Sequence, residues 1–315
     1  MPTESNVLVT GASGFVGRRL VERLLQGGAS LRILQQETQP VPDRWRSLAD
    51  IRSGDVLEPE TLPDVVAGIE AVYHLAGEIR RPDLFDAVNR QGTQNLLDVC
   101  ETHGVKRFIY MSSVGVIEPA RNSGPARHSA RGRAQGGYEK SKAEGETLAL
   151  GRNREGRMKV VSLRPSIIYG EDRPAQGDSF HSLVRLIASG KFALFGRQYF
   201  NSYVYVGDVA EAAVFVNEHP RTGGQAYIIN EPIALEDFVQ EIARLLGRRP
   251  IQTLPRAWGR LAEKVLRARG RYGSLYNRVP YDIKALSDIG FQMPFGYKIG
   301  LARTLAWYKA QQRLK

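Results

Sequence analysis

The sequence is short of several features, and each shortage excludes a class of protein. Cys100 is the single cysteine among 315 residues, so no internal disulfide can form. A lone thiol also gives no cysteine-based metal cluster, and we expect no metal ion. No apolar run reaches the length of a membrane-spanning helix, and no internal repeat is visible. These shortages favour a globular protein whose core forms without covalent cross-links.

Targeting and nucleic-acid signals are lacking as well. The first apolar strand begins within a few residues of Met1, with no basic-then-apolar leader before it, which predicts a cytoplasmic location. The formal net charge of +11 would suit an acidic partner. The arginines are scattered, however, without the interleaved aromatic residues of a nucleic-acid recognition motif. We therefore expect a small-molecule substrate and no nucleic-acid partner.

What the sequence does contain is a glycine-rich turn near its start. An aliphatic run, Asn6 to Thr10, predicts a central parallel strand, and residues 15–25 have the apolar spacing of a helix. Gly11 would permit a tight turn, Gly14 would leave room for a pyrophosphate, and Gly17 would let the helix pack closely on the strand. The free N–H groups at the helix start would face the anion. The cofactor-binding residues predicted here are Gly11, Ser13, Gly14, Phe15, Val16 and Gly17.

The ends of later strands supply further candidate cofactor residues. Gln35 and Gln36 stand where dinucleotide folds carry an acid for NAD or an arginine for NADP. The choice stays open, with a slight lean to NADP because Arg18 and Arg32 are nearby cations. Asp55 would either accept from the adenine amino group or cap a turn. The cofactor residues predicted after the first helix are Gln35, Asp55, Val56, Leu75, Ala76, Gly77, Asn89, Tyr138, Lys142, Pro165 and Ile168.

The alternation of strands and helices predicts an α/β fold. It indicates a Rossmann-type, doubly wound parallel sheet with a smaller C-terminal substrate-binding lobe. We assign residues 1–168 to the NAD(P)-binding domain, to which the chain would return at about 198–230. Residues 169–197 and 231–315 would form the lobe across the carboxyl ends of the strands.

A tyrosine and a lysine suggest the chemistry. Tyr138 and Lys142 are four residues apart at a predicted helix start, so both side chains lie on one face. A free tyrosine has a pKa of about 10, and a nearby cation favours its phenolate. Tyr138 could then exchange an alcohol proton while hydride moves to or from a nicotinamide. Ser113, at the end of the fifth strand, could hydrogen-bond the same substrate oxygen. The predicted catalytic residues are Ser113, Tyr138 and Lys142.

Two basic segments each have two interpretations. The arginine-rich stretch 118–137 is either a solvated loop or a lid that recruits an anionic group over the site. Residues 255–271 predict a basic amphipathic helix. That helix either packs on the lobe with a solvated outer face or touches an anionic membrane surface through its apolar side chains.

Several of these motifs together resemble the extended short-chain dehydrogenase/reductase family, over nearly the whole chain. The resemblance implies NAD or NADP as cofactor, a triad of Ser113, Tyr138 and Lys142, and a secondary alcohol or ketone as the reacting group. It also implies a homodimer formed through helices near 84–101 and 138–150. The segments that carry the resemblance are Thr10–Gly17, His74–Gly77, Asn89 with Gly92 and Thr93, Ser112 and Ser113, Tyr138–Lys142 with Glu146, Arg164 and Pro165 with Tyr169 and Gly170, and Val204–Asp208.

Two branches of that family compete. The 3β-hydroxysteroid dehydrogenase-like branch resembles the chain at Val204–Ala210 and Gly92–Leu96. Nucleotide-sugar epimerases and dehydratases usually carry an arginine and an acid where this chain has Asn201 and Ser202. We therefore predict an NAD(P)-dependent oxidoreductase of a secondary alcohol or ketone, leaning to a sterol-like or other lipophilic substrate. A nucleotide-sugar epimerase, dehydratase or reductase is the first alternative, and a non-catalytic NAD(P)-binding protein is the second.

Overall fold

A seven-stranded sheet lies at the centre of the computed structural model, which describes residues 6–39, 41–117, 136–173, 178–195, 199–255 and 280–313. The strands are β1 (Asn6–Thr10), β2 (Ser30–Gln35), β3 (Asp50–Ser53), β4 (Ala71–His74), β5 (Arg107–Met111), β6 (Lys159–Pro165), β7 (Ile167–Tyr169), β8 (Leu194–Phe195), β9 (Tyr203–Tyr205), β10 (Gln225–Ile229) and β11 (Thr253–Leu254). The central sheet has the order β10-β6-β5-β4-β1-β2-β3, and all its pairings are parallel. This order confirms the predicted doubly wound α/β fold.

Helices cover both faces of that sheet. The helices that the structure describes are α1 (Phe15–Gln26), α2 (Leu62–Val66), α3 (Thr93–Thr102), α4 (Gly137–Gly151), α5 (Ser179–Ala188), α6 (Val206–Glu218), α7 (Leu235–Leu245), α8 (Lys284–Ser287) and α9 (Gly296–Ala310), of which α5, α7 and α9 surround a second core. Side chains alternate between the faces of a strand. Along β1, Val7 and Val9 accordingly pack in the core that includes residues of α1 and α6. Leu8, between them, packs on the opposite side with residues of α2 and α3.

A second core, rich in aromatic residues, lies among α5, α7 and α9. Its rings include Tyr169, Phe180, Tyr203 and Phe238, and all four are fully buried. Tyr169 and Phe180 stack with ring centroids 4.5 Å apart, and Tyr203 and Phe238 stack at 5.5 Å. The short strands β7 and β9 pair beside this core in a separate two-stranded sheet. The proposed boundaries between the cofactor domain and the lobe stay a prediction.

The predicted helix near residues 84–101 is interrupted. A 3₁₀ turn over Pro82–Leu84 and a π-helical turn over Ala87–Gly92 come before α3. The π-helical turn lies where another helix passes very close, because a Cβ on Gly145 of α4 would lie 2.3 Å from the carbonyl oxygen of Asn89. Such irregular turns often occur at functional sites.

Membrane contact was expected only at one surface helix. In the part of the chain that the structure describes, no helix is long and apolar enough to cross a membrane. Residues 256–279, which include nearly all of the predicted basic amphipathic helix, lie outside the described residues. Most of the arginine-rich segment, residues 118–135, lies outside them as well.

Candidate active site

The glycine turn between β1 and α1 forms a narrow cradle. Gly11 has a φ of +69°, which favours glycine, and a Cβ there would lie 2.5 Å from the backbone nitrogen of Ala76. A Cβ on Gly17 would lie 2.1 Å from the carbonyl oxygen of Gly11. Gly14 is exposed and caps the start of α1, where N–H groups and the helix dipole favour an anion. The cradle therefore fits the pyrophosphate of a dinucleotide.

Thr10, at the end of β1, holds the end of β4 beside this turn. The Ala76 N–H donates to its hydroxyl oxygen at 3.2 Å, and the Leu75 N–H donates to its carbonyl oxygen at 3.2 Å. The same hydroxyl lies 2.8 Å from Nδ1 of His74. Burial lowers the pKa of His74 to about 3, so this imidazole is neutral. His74 is thus a core residue that helps to place Leu75, Ala76 and Gly77 against the cradle.

At the predicted adenosine end, polar side chains bond mainly to one another. Gln36 donates to Oδ2 of Asp55 at 2.7 Å, and the Leu57 N–H donates to Oδ1 of Asp55 at 2.9 Å. Asp55 therefore has the turn-capping role, one of the two considered. Gln35 accepts a long hydrogen bond, 3.5 Å, from the Val41 N–H.

Two of the residues predicted near the adenosine are directed elsewhere. Val56 is buried against Gly92, and its carbonyl accepts from Asn95 at 2.8 Å, so the side chain of Val56 belongs to the core and not to a cofactor surface. Arg32 donates to Asp50 and to the carbonyl oxygens of Val65 and Ala67, so it is occupied on the other side of β2 and β3. Arg32 was a candidate for favouring NADP because of its charge and its position in the sequence, but these contacts occupy its guanidinium elsewhere.

Asn89 is buried and joins two segments of the chain through its side-chain amide. It is fully buried, and its amide nitrogen donates to the carbonyl oxygen of Glu78 and to the hydroxyl oxygen of Ser141. Its amide oxygen accepts from the Glu78 N–H at 2.9 Å. Both amide protons are therefore used within the protein. Asn89 fixes the segment after β4 to α4, and a direct role in holding the cofactor does not fit these contacts.

Ser13, Phe15, Val16 and Ile168 occupy the border between the sheet and the aromatic lobe. Val16 and Ile168 pack against both cores, and Phe15 packs against the aromatic one. The Ser13 hydroxyl donates to Gln39 at 3.1 Å, away from the helix axis. Pro165 ends β6, next to this border. These residues therefore line the carboxyl edge of the sheet, where dinucleotide folds bind their ligands.

Ser113 and Tyr138 meet at the same edge. The Ser113 hydroxyl accepts from the Gly115 N–H at 3.1 Å, and Tyr138 lies in the first turn of α4. Burial, with a contribution from the Glu139 carboxylate, raises the pKa of Tyr138 to about 12, and Ser113 opposes this rise. The ring of Phe85 meets Tyr138 edge to face, with centroids 5.8 Å apart. Phe85 was not predicted, because no spacing in the sequence links it to Tyr138.

Lys142 lies one turn further along α4 and is 5% exposed. Its Nζ is 4.3 Å from the centroid of the Tyr110 ring, and a Cβ on Gly77 would lie 3.8 Å from it. Burial lowers the pKa of Lys142 to about 7, although Glu146 raises it. The expectation that Lys142 favours the phenolate of Tyr138 stays a prediction. Burial is the largest influence on the pKa of both groups.

This arrangement suits proton exchange at an alcohol oxygen beside a dinucleotide. A bound nicotinamide would supply the hydride-transfer chemistry. Beside such a cofactor, Ser113 could orient the substrate oxygen and Tyr138 could give or take its proton. Lys142, on the Gly77 side, could hold a sugar hydroxyl of the cofactor and add positive charge.

Comparison with known proteins fits this geometry. The NAD dependent epimerase/dehydratase family matches residues 7–230. A 3-beta-hydroxysteroid dehydrogenase of Mycolicibacterium neoaurum is 30% identical over 96% of this chain and 91% of that protein. An N-acetyl-alpha-D-glucosaminyl-diphospho-ditrans,octacis-undecaprenol 4-epimerase of Escherichia coli O157:H7 is 28% identical over 96% of this chain and 95% of that protein.

A solved structure shows the same fold. The UDP-glucose 4-epimerase of Thermus thermophilus in complex with NAD aligns with a TM-score of 0.69 at 22% identity, covering 96% of this chain and 99% of that one. The family match spans well over half of this chain and includes Ser113, Tyr138 and Lys142. The chain therefore belongs to the NAD-dependent epimerase/dehydratase family and is an enzyme of the extended short-chain dehydrogenase/reductase type.

Proposed function

We propose that this enzyme transfers hydride between a nicotinamide and a secondary alcohol or ketone on a lipophilic substrate, with a 3β-hydroxysteroid as the leading class. Ser113 would orient the reacting oxygen, Tyr138 would exchange its proton, and Lys142 would hold the cofactor. The 30% identity to the mycobacterial-type 3-beta-hydroxysteroid dehydrogenase supports this substrate class.

The observation that carries the choice of substrate is the chemistry at Asn201 and Ser202. Both residues are buried, with Asn201 1% exposed. The Asn201 amide nitrogen donates to the carbonyl oxygen of Tyr203 at 2.7 Å, and Asn230 donates to the carbonyl oxygen of Asn201 at 3.2 Å. Asn201 is thus held by its backbone neighbours, and the two neutral side chains supply no charge that could hold a sugar-nucleotide pyrophosphate.

The surroundings of the reactive phenol also favour an apolar substrate. Phe85 lies against Tyr138, and Val114 follows Ser113 directly. Burying apolar substrate surface against such side chains would stabilise the complex by roughly 25 cal/mol per Å².

A binding titration separates the substrate classes. The NAD-loaded protein is titrated with UDP and UDP-sugars while its melting temperature is followed, because a ligand that binds the native state raises that temperature. We expect no shift with these nucleotides, and turnover of hydroxysteroids measured by nicotinamide absorbance. A clear shift with UDP-sugars, together with no turnover of any hydroxysteroid, would overturn the proposed substrate.

The catalytic assignment has its own test in Tyr138→Phe. Removing the phenolic hydroxyl should lower kcat by roughly 10²- to 10⁴-fold, the usual contribution of one positioned acid–base group, and leave cofactor affinity nearly unchanged. Tyr227→Phe, in the buried strand β10, is the matched control and should keep its activity. A Tyr138→Phe enzyme with full activity would contradict the assignment and would favour a different proton donor.

A second candidate is an epimerase of a lipid-linked sugar. Its support is the Escherichia coli relative, whose named substrate joins a sugar to undecaprenol through a diphosphate. Such a substrate would combine an apolar tail with a reacting sugar hydroxyl. Incubation with a polyprenyl-diphospho sugar and NAD, followed by analysis of the sugar stereochemistry, tests it. Epimerised product without net NADH formation would establish this function in place of the first.

The choice between NAD and NADP is proposed from Arg18. This exposed arginine donates to the carbonyl oxygen of Ser13 at 2.9 Å, next to the glycine cradle. With Arg44 it lines a cavity of about 480 Å³, but the carboxylates of Glu22, Asp43 and Asp172 line it too and weaken its attraction for a phosphate. We therefore propose that the enzyme slightly prefers NADP to NAD and that this preference depends on Arg18. Arg18→Ala should lower kcat/KM with NADPH and leave that with NADH unchanged.

Two interactions complete the proposal. A homodimer would form through α3 and α4, and sedimentation of the purified protein should give a mass of two chains.

The segment 255–271 would bind anionic membranes peripherally. Co-sedimentation with phosphatidylserine vesicles should then weaken when Trp258 and Leu261 are changed to serine, while phosphatidylcholine vesicles should bind little in either case.

A further inference from the structure

Glu146 is a buried carboxylate placed one helical turn after Lys142. Residues four apart on an α-helix lie on the same face, and both side chains here are 5% exposed. Glu146 accepts from the Ser162 hydroxyl at 2.6 Å and from Nε of Arg164 at 2.9 Å and 3.1 Å. Both donors lie on β6, so the carboxylate joins α4 to the strand next to the edge strand β10.

The groups around Lys142 differ in charge. On β4, His74 is neutral near pH 7, and on β5 the Tyr110 ring lies under the ammonium group. On α4, burial keeps Tyr138 in its neutral form near pH 7, whereas Glu146 is ionised. Glu146 is thus the negative charge that favours the ammonium form of Lys142 against the cost of burial.

Glu146 keeps its own charge because of Arg164. Burial alone would raise the pKa of Glu146, but the guanidinium of Arg164 and the hydroxyl of Ser162 hold it below its usual range. Arg164 is 3% exposed, and its Nε donates to both carboxylate oxygens of Glu146. Arg164 on β6 therefore stabilises the charge of Glu146, and Glu146 in turn stabilises the charge of Lys142.

We propose that Glu146 is a positioning residue that keeps the buried ammonium of Lys142 protonated near neutral pH. This inference rests on the proposed function, because it gives Glu146 a part in catalysis through Lys142. A charged Lys142 is needed to hold the cofactor sugar and to assist the phenolate of Tyr138. Without Glu146, the enzyme would lose this charge at a lower pH.

The same contacts also fit a role in stability alone, since Glu146 and Arg164 join a helix to the sheet. A structural role predicts lower activity at every pH and an unchanged protonation of Lys142. The proposal predicts that the protonation itself changes. The deciding measurement is therefore made on Lys142 and not on turnover.

The experiment follows the Cε chemical shift of Lys142 during a pH titration of the protein with isotope-labelled lysine. The signal is assigned by its absence in Lys142→Arg. Glu146→Gln should lower the pKa of Lys142 by about one pH unit, the low end of the effect of one nearby opposite charge. Glu144→Gln is the matched control on the same helix. Glu144 is 40% exposed and pairs at 3.9 Å with Lys140, so this change should leave the titration of Lys142 unaltered.

Glu146→Gln leaves Arg164 buried without its carboxylate and could fail to fold. In that case Glu146→Gln is combined with Arg164→Met, which removes both charges. The lysine should still titrate at lower pH, because Glu146 is the charge that acts on it. Glu146→Asp, which keeps the charge, should restore most of the wild-type value. An unchanged lysine pKa in folded Glu146→Gln or in the double variant would overturn the proposal.

The pH profile of kcat/KM connects the measurement with catalysis. The alkaline limb, where Lys142 loses its proton, should move to lower pH in Glu146→Gln by the same amount as the lysine titration. A lower lysine pKa with no turnover of any substrate by the wild-type enzyme would support the electrostatic inference and reject the proposed function. A turnover profile that keeps its limb while the lysine titration moves would reject the catalytic part of the inference.

Discussion

In two regions of this molecule the pKa values of carboxyl groups shift in opposite directions. Glu146, between α4 and β6, is held by the guanidinium of Arg164, and its pKa lies below the usual range. Asp208, at the start of α6, is held by the N–H groups of Phe295 and Gly296 at 3.0 Å and 3.1 Å. Burial raises the pKa of Asp208 to about 6, and burial with the charge of Asp208 raises that of neighbouring Glu231 to about 7.

The difference lies in the partners and not in the burial. A full positive charge offsets the loss of hydration around Glu146, whereas the partial charges of N–H groups do so only in part for Asp208. Glu231 adds a like charge, and its Oε2 is buried with no hydrogen-bond partner among the described residues. One carboxylate therefore supports the charge of Lys142 at neutral pH, while burial and mutual repulsion disfavour the charged forms of the other two.

The largest expected effect comes from Arg164→Met, which removes the cation from the first group. Breaking a buried ion pair by removing one partner costs roughly 3–5 kcal/mol, because the remaining charge is left without a partner. We expect a loss of that size in the free energy of unfolding, measured with urea at pH 7.5. The loss should shrink at lower pH, where Glu146 becomes protonated.

The matched control for that change is Arg244→Met. Arg244 makes a two-pronged pair with Glu241 at 2.6 Å and 2.8 Å, similar in geometry to the Arg164 pair, but its side chain is 68% exposed. Solvent-exposed pairs contribute little, so the free energy of unfolding should hardly change. Equal losses in the two variants would show that burial does not set the strength of the first group.

A medium effect is expected from the pH dependence at Asp208. Its pKa is 3.8 in the unfolded chain and about 6 in the folded protein, so the folded state holds the proton more tightly. The stability from this group is therefore present at low pH and is lost as the pH rises from about 4 to 6. Asp208→Asn removes that loss, so relative to wild type it should gain about 1–3 kcal/mol between pH 4.5 and pH 7.5.

The gain is measured as the difference in melting temperature between variant and wild type across this pH range. Glu236→Gln, at an exposed position in the first turn of α7, is the control and should show a difference that stays constant with pH. A difference for Asp208→Asn that shrinks as the pH rises would mean that the Asp208 carboxylate is ionised in the folded protein at low pH.

The smallest effect concerns Ser162→Ala. Its hydroxyl donates to Glu146 at 2.6 Å, and a hydrogen bond to a charged group contributes about 1.5–3 kcal/mol before relaxation. We expect a loss of about 1–2 kcal/mol in urea unfolding and a small rise in the pKa of Glu146. Ser182→Ala, whose hydroxyl donates to the backbone carbonyl of Asp178 just before α5, should lose less. A larger loss in the control would contradict the importance of the charged acceptor.

The order of elements was largely predictable from local sequence. The unbroken apolar run of β1 and the glycines after it predicted a strand, a turn and a helix, since each depends on neighbouring residues. The four-residue spacing of Tyr138 and Lys142 likewise placed both on one helix face. The interruption before α3 was not predictable, because it lies where Gly145 passes the backbone of Asn89, and Gly145 is 56 positions further along the chain.

Side-chain directions at the site depended on such distant contacts. Arg32 and Val56 have suitable types and positions in the sequence, yet Arg32 donates to carbonyl oxygens at the end of α2 and Val56 packs in the core beside Gly92. Asn89 was expected to touch the cofactor, but its amide joins Glu78 to Ser141. In each case the sequence identifies the residue but does not show which distant residue it contacts in the folded protein.

By itself, the sequence determined the alternation of strands and helices, the glycine cradle and the spacing of the reactive pair, because all three follow from short-range geometry. Only the tertiary structure decided the acidity of the reactive groups. Burial raises the pKa of Tyr138 and lowers that of Lys142, and Glu146 opposes the second shift with help from Arg164 on another strand. Hydration and charge depend on which elements enclose a group, and that enclosure is formed when distant parts of the chain pack together.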